Sequence, residues 1–336
     1  MLPLGKVPPK ILKQTIFEHL GATRNDVVVG PSEGEDAAIL RLGDQLLAIH
    51  CDPISGAFSR IGWIAMHIAT NDIATQGVKP RWALSCIMLP QGSSEKILAT
   101  ISKQMSEAAE RLGVTIVGGH SETTLGLDHP LVIITALGAI ENERYVTTSG
   151  ARPRSKIILT KRVGIEGTAI LASDRGKILK SRFGDDFVRK CVDYFNDLSV
   201  LKEATIAFQF GGVQGMHDPT EGGISNGLHE LANASKTGFR VYEKEIQISY
   251  ETHEICRFFG IDPLNLISSG SLLIVAEHDF AEGIICRLRE NGISAFIIGE
   301  VLSNDECRVI VRKNGAVEPL IRPECDGLWA ALDVKI

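Results

Sequence analysis

Leu12, Ile16 and Leu20 recur at four-residue spacing after Pro8-Pro9, with Gly21 behind them. That spacing predicts a first helix over 12–20. Apolar runs at 27–29, 37–42 and 46–51 are short and separated by turn residues, so they read as strands. Ile61, Ile64, Ala65 and Ile68 then mark a helix that closes near Gly77, and 82–89 reads as a strand. A long helix opens after Gly92-Ser93-Ser94, carries Ile97, Ile101, Met105, Ala108 and Leu112 on one face, and stops at Gly113. Strands follow at 114–117 and 131–140.

Between 147 and 155 the chain holds Ser, Gly, Arg and Pro with no apolar run, which makes it the expected boundary. Beyond it the pattern restarts. A strand at 156–160 leads into helices near 167–173 and up to about 210. A glycine-rich turn then leads to Asp218, and a helix runs on to 234. Strands at 239–242, 271–276, 295–301 and 307–311 alternate with helices at 251–259 and 280–290. Both parts mix strands and helices, so the expectation is an α/β (α+β) protein of two domains, 1–150 and 151–336.

Charge narrows the partners. There are 12 basic against 15 acidic residues up to position 150 and 23 against 26 beyond it, so each part carries −3. Nucleic acid needs clustered Lys and Arg, and neither part offers them. The apolar run at 130–140 is shorter than the roughly 20 residues that cross a bilayer, so no membrane segment is expected. The first ten residues hold two adjacent prolines and no apolar signal core. Seven scattered cysteines with no Cys-x-x-Cys exclude a zinc knuckle or a disulfide framework, and a reduced cytoplasmic protein is expected.

The chain lacks both the Gly-x-x-x-x-Gly-Lys loop and Gly-x-Gly-x-x-Gly. What recurs is an acidic residue at the end of an element, beside small residues. Glu35-Asp36-Ala37-Ala38 precedes a strand, His50-Cys51-Asp52-Pro53 ends one, Asn71-Asp72 lies late in a helix, and His217-Asp218-Pro219-Thr220-Glu221-Gly222-Gly223 precedes a helix. Hard oxygen ligands of this kind suit Mg2+ beside substrate phosphates. Any single Asp there is more often a helix cap. Asp36 and Asp52 differ, because apolar strand residues flank each. Gly118-Gly119-His120 follows the strand at 114–117, where two glycines bring backbone N–H groups close to a phosphate or simply make a turn. Gly223-Ile224-Ser225-Asn226-Gly227 fits a nucleophile elbow in letters, but a polar, glycine-rich approach is not the required strand. His229-Glu230 is followed by Asn233 where a zinc-protease helix needs His.

Taken in order, these segments resemble the AIR-synthase (PurM-like) superfamily, and within it the HypE group of hydrogenase maturation factors. Asn71–Pro80, Val117–Glu122, Glu166–Leu171 and Met216–Gly223 carry the resemblance along with the Asp36 and Asp52 segments, over nearly the whole chain. The resemblance implies two α/β domains and a homodimer formed through the N-terminal sheets. It implies ATP bound with Mg2+, with Asp36, Asp52, Asp72 and Asp218 at metal-binding positions and Asn71, Gly118, Gly119 and His120 around the phosphates. It also implies ATP-dependent phosphorylation of an amide or carbonyl oxygen. The second reading is a catalytically silent nucleotide-binding dimer that serves as scaffold or partner in hydrogenase-type cofactor maturation.

One departure matters. HypE proteins end in a tail whose last residue is the cysteine that accepts the carbamoyl group, whereas this chain ends at Ile336 with its last cysteine, Cys325, eleven residues earlier. Cys325, followed by Leu328 and Trp329, is expected to be buried and structural. A thiol acceptor is therefore not expected. Selenophosphate synthetase needs a reactive residue ahead of Cys51, AIR synthase has an acid where His120 stands, and thiamine-monophosphate kinase matches the Asp218 segment less well. Four carboxylates in one cleft repel when no cation is present, so the loop at 33–36 is expected to be loose.

Overall fold

The structure is a computed structural model, and it describes residue 2 and residues 4–333. Six strands, β1 (Val27–Val29), β2 (Ala38–Leu42), β3 (Gln45–Ile54), β4 (Trp82–Pro90), β5 (Thr115–Thr124) and β6 (Leu131–Ile140), form the first sheet in the order β1-β2-β3-β6-β4-β5. Among the described strands of this sheet, only β4 and β5 pair in parallel. Seven more, β7 (Lys156–Thr160), β8 (Val213–His217), β9 (Gly238–Tyr242), β10 (Leu273–Ala276), β11 (Ala295–Leu302), β12 (Arg308–Val311) and β13 (Val317–Pro319), form the second in the order β13-β12-β9-β11-β7-β10-β8.

The helices are α1 (Pro9–Thr15), α2 (Ile61–Ala74), α3 (Glu95–Leu112), α4 (Ile165–Asp174), α5 (Gly176–Phe183), α6 (Asp185–Val192), α7 (Leu201–Phe210), α8 (Gly223–Ser235), α9 (Tyr250–Phe259), α10 (His278–Glu290) and α11 (Gly327–Asp333).

Strand β6 alternates strictly, with Val132, Ile134, Ala136 and Ile140 buried and the odd positions half-buried. The period of two puts one face against α2 and α3 and leaves the other uncovered. Every residue of α2 is buried, including the polar His67, Thr70, Asn71 and Asp72 of its later turns. It packs on β3 and β6, on α3, and on α7 of the second half. The indole N–H of Trp63 donates to Phe195 O at 2.8 Å, which ties the two halves together. One hydrophobic cluster accordingly runs from the covered face of the first sheet through α4, α5 and α6. Strand β7 is buried on both faces: Ile157 and Leu159 meet α8 on one side, and Ile158 meets α7 and α10 on the other.

Three expectations need correction. The helix over 12–20 is only α1, because Ile16 and Leu20 are both 56% exposed and find nothing to pack against. The glycine-rich approach to Asp218 is strand β8, held by its ladder with β10. The double glycine is no turn, since Gly118 and Gly119 lie inside β5. A Cβ on Gly119, at φ +152°, would stand 1.8 Å from Ser85 O of β4, so the close approach of two strands requires glycine there. Among the described residues, no helix is long and apolar enough to cross a membrane.

Candidate active site

Four elements of distant sequence meet between the two sheets. Asp36 sits in the loop just before β2, Asp52 on β3, Asn71 and Asp72 near the end of α2, and Asp218 directly after β8. Even-numbered positions of β3 face α2, so His50 and Asp52 both point toward Asp72. Asn71 is wholly buried and works with three partners. Its Nδ2 donates to Asp218 Oδ2 at 3.1 Å and to Leu198 O at 2.9 Å, while its Oδ1 accepts from Val200 N at 3.0 Å. It therefore fixes Asp218 against the start of α7.

The charges feel one another. Burial first, then the carboxylates of Asp218, Asp36 and Asp52, push Asp72 well above the usual range. Burial followed by Asp36 takes Asp218 up to about 7. Burial also raises Asp52 and takes Glu166, on α4, up to about 8. Asp218 Oδ1 and Glu166 Oε2 are buried with no hydrogen-bond partner among the described residues. Such atoms are costly unless something positive meets them.

Two cations already adjoin the cluster. His217 lies between Asp36 Oδ1, 2.7 Å from Nδ1, and Glu230 Oε2, 3.1 Å from Nε2. Burial alone lowers its pKa, but Asp36 and Glu230 outweigh that and lift it to about 10, so both ring nitrogens carry protons. Burial raises Glu230, yet Lys6, His217 and Arg322 hold it well below the usual range. The chain near the N-terminus reaches in as well. Lys6 N donates to Glu221 Oε2 at 2.8 Å, and its ammonium stands 3.5 Å from Glu230 Oε1. A cavity of about 300 Å³ opens beside it, lined among others by Lys6, Asp52, Glu166, Glu221 and Asp326. A larger one of about 710 Å³ continues past Glu33, Arg322 and Cys325.

Asp36, Asp52, Asn71, Asp72 and Asp218 thus share one cluster. Gly118, Gly119 and His120 do not join it within one chain. The ladder runs from Asp52 through Ile134 and Ser85 to Gly119, three strand spacings or about 14 Å. His120 is exposed and pairs with Glu122 at 3.1 Å.

The loop at 33–36 is tied down, contrary to expectation. Glu33 accepts from Asn233 and pairs with Lys13 and Arg322, and Glu35 accepts the N–H groups of Thr148 and Ser149. Cys325 is exposed, not buried, and its thiol donates to Leu4 O at 3.5 Å. The chain's last three residues lie outside the described ones. Strand β8 does precede Gly223-Ile224-Ser225, but Ser225 is buried inside α8, so the elbow fails for that reason.

Sequence reasoning missed His50, His217, Glu230, Glu166 and Lys6 as site residues. His50 had a signal, because it stands two positions before Asp52 on one strand.

The pattern of the N-terminal domain of AIR synthase related proteins matches residues 34–140, and that of their C-terminal domain matches 152–312. A hydrogenase expression/formation protein of Methanocaldococcus jannaschii is 27% identical over 304 residues, 88% of each chain. The carbamoyl dehydratase HypE of Azotobacter vinelandii is 29% identical over 250 residues, 73% of this chain and 70% of its own. Two solved structures share the fold. The HypE–HypF complex matches with TM-score 0.77 and 23% identity over 93% of this chain and 99% of that one. HypE in complex with ATP matches with TM-score 0.72 and 22% identity over 96% of both. With both halves matched in order, the chain belongs to the AIR synthase related (PurM-like) family.

Proposed function

We propose that this chain binds ATP with Mg2+ at the carboxylate cluster and transfers the γ-phosphoryl group to an amide or carbonyl oxygen of its substrate. The carrying observation is the buried cluster itself: Asp72 and Asp218 are perturbed by their neighbours, and Asp218 Oδ1 has no partner. Such a site fits a divalent cation. When bound, Mg2+ neutralises phosphate charge, which phosphoryl transfer needs more than a reactive side chain.

The chain's residues supply the positioning. Asp36, Asp52, Asp72 and Asp218 hold the cation, Asn71 orients Asp218, and protonated His217 orients Asp36. In the transfer, the bond from the γ-phosphorus to its bridging oxygen breaks, ADP leaves, and the acceptor oxygen takes the phosphoryl group. Gly118, Gly119 and His120, which the resemblance puts around the phosphates, stand about 14 Å from Asp52 within one chain and in this reading take no part in holding the cation. A carbamoyl group is an amide, so the name of the Azotobacter relative supports an amide-type acceptor. The complex of HypE with ATP supports the nucleotide, and its complex with HypF supports a protein partner in maturation.

In this reading residues 1–150 form the nucleotide-binding and dimerising unit and 151–336 the second unit. The test is ATP titration by calorimetry, with and without Mg2+, followed by ADP release. Mg2+-dependent binding with turnover is expected. Binding without turnover favours the scaffold reading, and no binding at millimolar nucleotide overturns both.

A further inference from the structure

We propose that the cation site of this chain is a mixed imidazole–carboxylate site, His50–Asp52–Asp72, which binds a first-row transition cation such as Mn2+ or Co2+ more tightly than Mg2+. It rests on the reading that the cluster holds a divalent cation, and it names which kind.

His50 and Asp52 share a face of β3, and Asp72 comes to them from α2. One ligand atom from each lies within 4.8 Å of the other two. His50 Nε2 is 3.0 Å from Asp72 Oδ2, yet it is shut off from solvent and the pair lacks hydrogen-bond alignment. An octahedral cation with bonds of about 2.1 Å holds adjacent ligand atoms about 3 Å apart, so this spacing suits two groups sharing an ion.

A second observation points the same way. Asp218 is 1% exposed, its Oδ2 is fixed by Asn71 next door to Asp72, and its Oδ1 is buried and unpartnered. It adds an unpartnered carboxylate beside the group, and it is the first charge that perturbs Asp72.

Ligand type then sets the preference. Mg2+ favours oxygen ligands and near-ideal octahedral geometry. A neutral imidazole nitrogen adds little for Mg2+ but strengthens binding along the first transition row. Among the described residues of the N-terminal segment, the cation beside Asp52 is Lys6, whose half-exposed side chain leaves it free to yield to an ion.

The test uses the full chain. MnCl2 and MgCl2 are each titrated by calorimetry into wild type, His50→Ser and His50→Asn, with circular dichroism to confirm the fold. Bound Mn2+ is also examined by pulsed electron spin resonance for imidazole nitrogen coupling. We expect Mn2+ to bind at least about tenfold tighter than Mg2+ in the wild type, with nitrogen coupling. Both signatures should vanish in either variant while Mg2+ affinity changes less than about threefold. Equal affinities in the wild type, or selectivity that survives both variants, overturn the proposal. ATP with Mg2+ is titrated in parallel. ATP binding with equal metal affinities overturns only the imidazole assignment. Absent ATP binding beside His50-dependent selectivity supports the metal site and overturns the nucleotide reading.

Discussion

Asp218 shows how one residue is set by its surroundings. One of its oxygens is spoken for by Asn71, the other is buried alone, and Asp36 stands near enough to disfavour its charge. Replacing Asp36 or Asp218 by Asn keeps the shape and removes a charge. Each change should weaken Mg2+-ATP binding by about tenfold or more, read by calorimetry, because desolvated charge contacts are worth about 1.5–3 kcal/mol. The same residues set a pH dependence. Asp218 and Glu166 are raised in the folded protein, to about 7 and about 8, so the folded state binds protons more tightly than the unfolded chain. Their contribution is full below the unfolded values of 3.8 and 4.5 and is lost as pH rises to about 8, since the folded cluster then gives up its protons. His217, raised from 6.5 to about 10, adds to the fall above pH 6.5, because the unfolded chain releases that proton while the folded one keeps it. Burial lowers His50, His67 and His229, which gain from rising pH only up to 6.5, so melting temperature without metal should drop between pH 6.5 and 8, and saturating Mg2+-ATP should reverse the drop. A flat or rising profile without metal would contradict this electrostatic picture. The four aspartates were legible from sequence because each stands beside small residues at the end of an element. His217 and Glu230 were not. They are thirteen residues apart and meet only because β8 and α8 fold back on each other.

At the scale of elements, the amphipathic pattern found most helices and strands, and its failures share a cause. Spacing announces what an element would bury, not whether anything is there to bury it. Ile16 and Leu20 keep helical spacing but remain exposed, and α1 stops at Thr15. Conversely, β8 has only Val213 and Met216 as apolar residues, yet its pairing with β10 makes it a buried strand. Helix α2 was legible from Ile61, Ile64, Ala65 and Ile68, but its complete burial was not, because that depends on the second half packing against it. The double glycine was legible as a special backbone and misplaced in kind. Gly119 lies in β5 and its missing side chain admits Ser85 O. Gly119→Ala should therefore lower stability by about 1–3 kcal/mol in denaturant unfolding, through strain between β4 and β5. Normal stability with weakened ATP binding would mean that the glycine serves the ligand and not the strand.

For the whole molecule, the first sheet leaves one face uncovered. The residues there are apolar: Leu40, Leu47, Ile49, Ile133 and Leu137 are half-buried, and Trp82 and Leu84 are 38% and 42% exposed. Register places them together, since Leu47 pairs with Leu40, Trp82 with Leu137 and Leu84 with Thr135 on neighbouring strands. A contiguous apolar sheet face of this kind marks an association surface. The open edge is β5, where eight of ten residues are exposed, so a second copy could extend or cover the sheet. Among the described residues the carboxylate that register puts on this face is Glu122, opposite Met88 at its edge and paired with His120, so little like charge stands in the way. We expect a sedimentation mass near twice 36.4 kDa at micromolar protein. Leu84→Glu and Trp82→Glu place a carboxylate on that face, where association would have to desolvate it, at a cost of several kcal/mol. Each should shift the protein to the monomer mass while circular dichroism stays unchanged, because neither residue belongs to the covered face packed on α2. A wild type that sediments as a monomer, or variants that remain dimeric, would show that this face has another role.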